Sequence, residues 1–474
     1  MEIEFKNIGF IKQGKIKTNN ITIIFGPNNV GKTYLSYSTY AAISKYNEIF
    51  KSKIKVPKSV SSELVLNGKG RYDLTNVFTD NLMKTVNDEL SSSLPAFFKD
   101  SFDMFSNSKI NVIDTYIQER VIAAEVNVNI SVSEHIILNI QKKKSSPWID
   151  FSVASAKNNS STGNPIGELK EKDASNYLNL LFNFFFLNEV LDSAANNAFI
   201  ITSERTGISL FQKEIDSNRS NMVDSFMWKK ISGNKVLSFD DLISKKVAKF
   251  SEPINHNINI VRDFSDVKKM QHIRSNNGLT MKNKDHAVII RSLESLTGGS
   301  YSISNGETIY TVKCKDGNNV SMPLSLSSAS NKALFLLDLY VRYYMTNNSY
   351  LIIDEPELNL HPQNQIKMAE LLVRLSNYGV KIIITTHSDF IVKEINNRVM
   401  ASKIKDKSKL STLEYENIDL IKHSEVNGFT IEDNGLICEV GVNQHGINAF
   451  IFDNVITEIE TKTDTIYSYI EEGF

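Results

Sequence analysis

Gly26-Pro27-Asn28-Asn29-Val30-Gly31-Lys32-Thr33 stands between a short β-branched run, Ile21–Phe25, and a stretch of helical periodicity that opens at Thr33 (TYLSYSTYAAISKY). Strand, Gly-rich loop and helix in that order is the context a GxxxxGK[ST] phosphate loop requires. Gly26 and Gly31 let the backbone turn so that successive N–H groups converge on phosphate oxygens, and the helix N-terminus adds favourable partial charge. Pro27, Asn28, Asn29 and Val30 complete the loop. Lys32 is a point charge for β- and γ-phosphates, and the Thr33 hydroxyl is a Mg²⁺ ligand. These eight residues are the candidate nucleotide-binding element.

Two later stretches carry the matching chemistry. Tyr350-Leu-Ile-Ile-Asp354-Glu355-Pro356-Glu357 is an apolar strand that ends in adjacent carboxylates. Asp354 at the strand end suits Mg²⁺ held through water, and Glu355 suits a general base that polarises an attacking water. Lys381-Ile-Ile-Ile-Thr385-Thr386-His387-Ser388 is a second buried-strand pattern, separated from the first by a helical stretch, Gln363–Ser376. A neutral His387 at its end can hydrogen-bond a γ-phosphate or the attacking water. Each of the two alone would be an ordinary strand end; behind a phosphate loop they are candidate catalytic residues, with Lys32.

The order of these motifs resembles the ABC-type ATPase core, in the branch that holds structural-maintenance (SMC), RecF-like and OLD-family proteins. The residues that carry the resemblance are the phosphate loop, EPELNLHP from Glu355 to Pro362, and TTHS from Thr385 to Ser388. It covers roughly the first 45 residues and 290–450. The resemblance implies a mixed-sheet α/β head and a signature helix ahead of the Asp354 strand. Pro323-Leu-Ser-Leu-Ser327-Ser328-Ala329-Ser330-Asn331-Lys332 stands there, although it departs from LSGGQ in having no glycine. Ser327, Ser328 and Ser330 are its candidate γ-phosphate contacts, through hydroxyls and amides at a helix N-terminus. Ile201-Thr-Ser-Glu204-Arg205-Thr-Gly207 resembles a PxER(S/T)G stretch of stand-alone members. Glu204 and Arg205 there stand where a Q-loop would, with Arg205 a nucleotide contact; a helix-capping turn with a surface ion pair is the other reading.

The remaining features bound the answer. The chain has 474 residues, too many for one compact core, and its 53 Lys plus Arg against 54 Asp plus Glu leave a net charge of −1. Bulk charge therefore gives no reason to expect nucleic acid or membrane as partner. Lys142-Lys143-Lys144 and the pairs Lys229-Lys230, Lys245-Lys246 and Lys268-Lys269 could touch phosphates, but charge runs are usually solvated faces. The 2 cysteines, Cys314 and Cys438, are too few for a disulfide framework or zinc cluster, which points to a reducing, cytoplasmic setting. No stretch approaches the roughly 18 apolar residues of a membrane helix.

Asp354 lies more than three hundred residues after Lys32, so insertions must separate the phosphate loop from the signature. The expected layout is an ATPase core segment at 1–47 and a helical insertion with one hairpin at 48–197. A core strand and the ERTG loop follow at 198–211, then a helical lid or arm at 212–289, and the rest of the core at 290–474. Thr461-Lys462-Thr463-Asp464 fits a GTPase base-reading motif but lies in an acidic C-terminal segment, where such a loop would not be.

The resemblance implies ATP binding and Mg²⁺-dependent hydrolysis coupled to head-to-head dimerisation or oligomerisation. Lone ATPases of this kind commonly belong to bacterial anti-phage systems such as Septu and PARIS, where they scaffold or hold a separately encoded nuclease or toxin. A DNA-clamping repair ATPase and a nucleotide switch with negligible turnover are the alternatives.

Overall fold

A computed structural model of the chain describes residues 1–114, 117–131, 136–155, 175–176, 178–179, 182, 198–210, 250–276, 284–314, 317–448 and 460–470. The chain falls into two compact units. The first takes Met1–Lys6, Ala41–Leu94 and Ser106–Ala198; the second takes Asn7–Tyr40, Pro95–Phe105 and Phe199–Phe474.

The second unit is built on a six-stranded sheet in the order Ile437–Val440, Val426–Ile431, Ile21–Phe25, Lys381–Thr386, Tyr350–Asp354, Ala198–Ile201. Val426–Ile431, Ile21–Phe25, Lys381–Thr386 and Tyr350–Asp354 run parallel, and Ile437–Val440 pairs antiparallel, so the sheet is mixed. All five residues of Ile21–Phe25 and of Tyr350–Asp354 are buried. A strand covered on both faces has no solvent side, which is why these runs are continuously apolar instead of alternating. The register pairs Phe25 with Thr386 and Thr385 with Asp354. The three strands therefore end together, and the loops after Phe25, Asp354 and Thr386 open on one edge, where open α/β sheets bind ligands.

Helices pack on this sheet where the periodicity places them. Lys32–Lys53 follows the Gly-rich loop, and Pro362–Tyr378 links the Asp354 and Thr386 strands. The latter buries Met368, Leu371, Leu372 and Leu375 on one side; each such side chain contributes about 1.5–3 kcal/mol. Asp389–Ala401 starts at the end of the TTHS strand, where the Ser388 hydroxyl accepts the Ile391 N–H at 3.1 Å. The expected hairpins form a three-stranded antiparallel sheet of Gly299–Ser304, Glu307–Lys313 and Asn319–Pro323. The helix Ala329–Leu339 follows it and runs into a π turn, Tyr340–Tyr344.

The first unit holds a four-stranded antiparallel sheet in the order Lys69–Asp73, Trp148–Ser155, Ile136–Lys142, Val126–Ser131. It also pairs Glu2–Lys6 with Lys109–Ile113, antiparallel. Besides the expected hairpin, this adds strands to a stretch expected to be mainly helical. Val126-Asn-Val-Asn-Ile-Ser alternates as a half-buried strand should, but strands this short are outweighed by longer helical periodicity on either side. The helix expected over 176–191 falls largely, and the pairs Lys229-Lys230 and Lys245-Lys246 wholly, outside the described residues. Among those described, no helix is long and apolar enough to cross a membrane.

Candidate active site

The phosphate loop takes the backbone its glycines predict. Gly26, Asn29 and Gly31 have φ of 146°, 66° and 104°. At Gly31 the positive φ favours glycine, and a Cβ there would also crowd Ile11 Cγ1 at 3.2 Å. Lys32 is 5% exposed, and its Nζ donates to the Gly26 carbonyl at 3.1 Å and the Pro27 carbonyl at 2.6 Å. Burial lowers its pKa, against the opposing pull of Glu355, Asp354 and Glu357.

Asp354 is fully buried at the strand end. The Thr33 hydroxyl donates to its Oδ2 at 3.0 Å, and the Thr385 and Ser36 hydroxyls donate to its Oδ1. Burial pushes its carboxyl up, while the Thr385 and Thr33 donors pull it down. A carboxylate and a hydroxyl this close are hard oxygen donors of the kind Mg²⁺ takes, so the residues present fit that ion.

Glu355 has φ of 52°, in the left-handed region. Its N–H donates to the Thr385 carbonyl at 3.1 Å and to Thr385 Oγ1 at 3.2 Å. Its side chain meets His387 Nε2 at 3.4 Å. That hydrogen bond, then the charges of His387, Lys32 and Arg205, hold the Glu355 carboxyl below the usual range in spite of partial burial. His387 is held in turn by Glu357, whose Oε1 accepts the His387 N–H at 2.6 Å while its Oε2 accepts the Thr386 hydroxyl at 2.9 Å. The Ser388 hydroxyl donates to Gln365 Oε1. The side chains of Glu355, Glu357 and Gln365 thus each hold part of the THS turn.

Arg205 is placed differently from its expected role as a nucleotide contact. Its guanidinium is 2% exposed and faces backbone: Nη1 donates to the Thr202 and Asp354 carbonyls at 3.1 and 2.8 Å, and Nη2 to the Glu355 carbonyl at 2.6 Å. Burial lowers its pKa to about 10, so the guanidinium stays charged at neutral pH. Arg205 clamps the turn that carries Asp354 and Glu355. Its neighbour Glu204 faces the site instead and accepts the Tyr37 hydroxyl at 2.8 Å.

Asn28, Asn29, Gly31, Lys32, Thr33, Glu204, Glu355 and His387 line one cavity of about 1080 Å³. Ser327, Ser328 and Ser330 do not line it. Ser327 Oγ donates to the Leu324 carbonyl at 2.8 Å, and the exposed Ser328 caps the helix by accepting the Asn331 N–H at 3.2 Å. Ser36, Thr385, Glu357 and Gln365 were not singled out in the sequence. Glu357, third carboxylate of Asp354-Glu355-Pro356-Glu357, and Thr385, first residue of TTHS, stand in motifs; Ser36 and Gln365 stand in none.

A phosphate loop, strand-end carboxylates and a histidine on the C-terminal edge of a largely parallel sheet define a P-loop nucleotide-binding fold. The chain belongs to the AAA ATPase domain family, whose model matches residues 1–392. It is 33% identical over 94 residues to a putative ABC transporter ATP-binding protein of Methanosarcina acetivorans, covering 20% of this chain and 31% of that one. It is 32% identical over 93 residues to the cell division ATP-binding protein FtsE of Streptococcus pneumoniae, covering 19% of this chain and 39% of that one. The chain thus spans about a third of the length of these relatives. Among solved structures, the SMC head domain from Thermotoga maritima aligns at 13% identity and a TM-score of 0.28, over 93% of this chain and 98% of that one. The Smc head domain of Pyrococcus furiosus, bound to the C-terminal domain of ScpA, aligns at 12% and 0.32, over 97% and 98%. At those scores the two add nothing to a fold assignment that rests on the sheet and the loop.

Proposed function

We propose that this chain is a Mg²⁺-dependent ATP hydrolase whose site is completed by a second head. The observation that carries the hydrolytic part is the 3.4 Å contact of Glu355 with His387 inside the cavity that Lys32 and Thr33 also line. Thr33 and Asp354 would hold Mg²⁺, which when bound neutralises charge between the β- and γ-phosphates. Lys32 exchanges two neutral carbonyls for phosphate oxygens, and the loop N–H groups take the rest. Glu355, kept ionised, accepts a proton from the attacking water. The water oxygen bonds to the γ-phosphorus, the bond to the β–γ bridging oxygen breaks, and ADP leaves with that electron pair. His387, through the Nε2 that meets Glu355, orients that carboxylate toward the water.

The proposed second head follows from the signature. Ser327, Ser328 and Ser330 do not line their own chain's cavity, which supports a role at a partner's γ-phosphate. Lys32→Ala and Ser328→Arg should each abolish turnover, and mixing the two inactive proteins under exchange conditions should restore part of it. One site of a mixed dimer then carries both lesions and the other carries none. A dead mixture, with mixed dimers demonstrated by differential tags, would contradict the shared site. By resemblance, the output in a bacterial cytoplasm is control of a separately encoded nuclease or toxin. Co-expression with the adjacent reading frames, followed by pull-down with and without ATP, tests that part.

A further inference from the structure

The loop and catalytic turn account for the phosphates but leave one side of the cavity unassigned. That side is formed by the segment Pro95–Phe105 of the second unit, far in sequence from the phosphate loop and outside every motif. Its tip carries Phe102, 91% exposed, and Phe10 on the same cavity is 62% exposed. A single exposed phenylalanine is unremarkable by itself. This one is presented by a built loop. Asp100 accepts the Phe102 N–H at 2.9 Å through Oδ1 and the Phe105 N–H at 2.8 Å through Oδ2. The base of the loop is fixed by Phe98 stacked on Phe105, ring centroids 4.0 Å apart at 4°, with Tyr34 edge-on to both. Lys99 and Asp103 take φ of 54° and 59°, left-handed backbone that residues other than glycine adopt only where the surroundings hold them to it. Tyr34 lies on the helix that follows the phosphate loop, so the aromatic platform is anchored to the phosphate site itself.

We propose that Phe102 forms one face of a nucleobase subsite and stacks on the base of the nucleotide whose phosphates lie on Gly26–Thr33. This rests on the ATP-binding reading of the loop. A cavity of about 1080 Å³ lies just above the roughly 300–1,000 Å³ of small-molecule sites and has room for base, ribose and phosphates together. Every base has a π-face, so stacking on Phe102 strengthens ATP and GTP alike and supplies affinity without reading the base edge.

The test separates the base from the phosphates by using ATP and inorganic tripolyphosphate as probes of the full chain. Phe102 is so exposed that its replacement costs the fold little. F102A should weaken ATP by on the order of ten-fold and leave tripolyphosphate affinity unchanged. F102W should change its emission, above the background of the native Trp148 and Trp228, with ATP but not with tripolyphosphate. The subsite is overturned if both probes bind, F102A shifts neither or both equally, and F102W is silent. A fall in molar mass by light scattering with an unchanged ATP-to-tripolyphosphate ratio would make Phe102 a protein contact, and also overturns it. If the parent chain binds neither probe, the phosphate-loop reading fails first and the subsite with it.

Discussion

Glu355 sits in left-handed backbone, which costs a residue with a Cβ about 1–2 kcal/mol. The surroundings hold it there from both sides. Thr385 takes its N–H, and the buried Arg205 guanidinium takes its carbonyl together with that of Asp354. On the proposed mechanism Arg205 acts through Glu355, and misplacing a general base can cost about 100-fold in rate. Arg205→Met should lower kcat at least ten-fold while ATP affinity measured by calorimetry changes little. An equal loss in both, or none in kcat, would show that Arg205 is not positioning the turn. The split between legible and illegible residues has a physical basis. Lys32, Asp354, Glu355 and His387 are legible as candidates because the proposed chemistry asks for fixed residue types, a lysine where the phosphate loop meets its helix and the other three at or just after strand ends. Arg205 works on backbone carbonyls about 150 residues away, and Thr385 and Ser36 work on one buried carboxylate. Contacts of that kind have no period: Arg205 and Thr385 stand in the ERTG and TTHS stretches, but nothing there says which atoms they hold, and Ser36 stands in neither.

Ile21–Phe25, Tyr350–Asp354 and Lys381–Thr386 are legible as strands because burial on both faces makes them continuous apolar runs, whereas Val426–Ile431 and Ile437–Val440, interrupted by Asn427, Gly428 and Glu439, are not. The edge strand Ala198–Ile201 is covered differently. Asn257, on the helix Glu252–Asp263, donates to the Ile200 carbonyl and accepts the Thr202 N–H at 2.9 Å. The same helix sets His256 against Tyr40 and Phe199, ring centroids 5.7 and 5.1 Å away. No described residue partners His256 Nε2. Burial pushes its pKa from 6.5 down to about 4. Between those values the unfolded chain carries the extra proton and the folded chain does not. The contribution is full above about pH 6.5 and is lost as pH falls toward 4, by at most about 3 kcal/mol. His256→Phe keeps an aromatic ring there and should flatten that slope in denaturant titrations run across this range. An unchanged acid loss in the variant would rule out His256 as its source. Nothing in the sequence distinguished this helix from the polar stretch around it, because its contacts reach back to residues far upstream.

At the scale of the whole molecule, balanced charge gives no basic surface to read, and two of the local lysine candidates are engaged within the fold. Lys142, first of the Lys142–Lys144 run, is 1% exposed and donates to the Ile122 and Ala124 carbonyls at 2.6 and 2.7 Å. Lys269 pairs with Asp263 at 2.8 Å. Thr461–Asp464 lies in a helix and not at a strand end, so it cannot serve as a base-reading loop. The chain after Ser388 lacks the Glu and DxD pattern of a Toprim nuclease module. We therefore expect the purified chain, with ATP and Mg²⁺ or Mn²⁺, to leave plasmid, linear DNA and tRNA intact. Metal-dependent cleavage that persists in Lys32→Ala and stays with the polypeptide would refute a separate effector. The central claim is that Lys32 binds the phosphates and Glu355 turns the nucleotide over, and one paired measurement tests it: equilibrium ATP binding and steady-state phosphate release on the parent chain, Lys32→Ala and Glu355→Gln. The account predicts that Lys32→Ala loses both and that Glu355→Gln retains binding while phosphate release stops. Phosphate release by Glu355→Gln at the parental rate would contradict it.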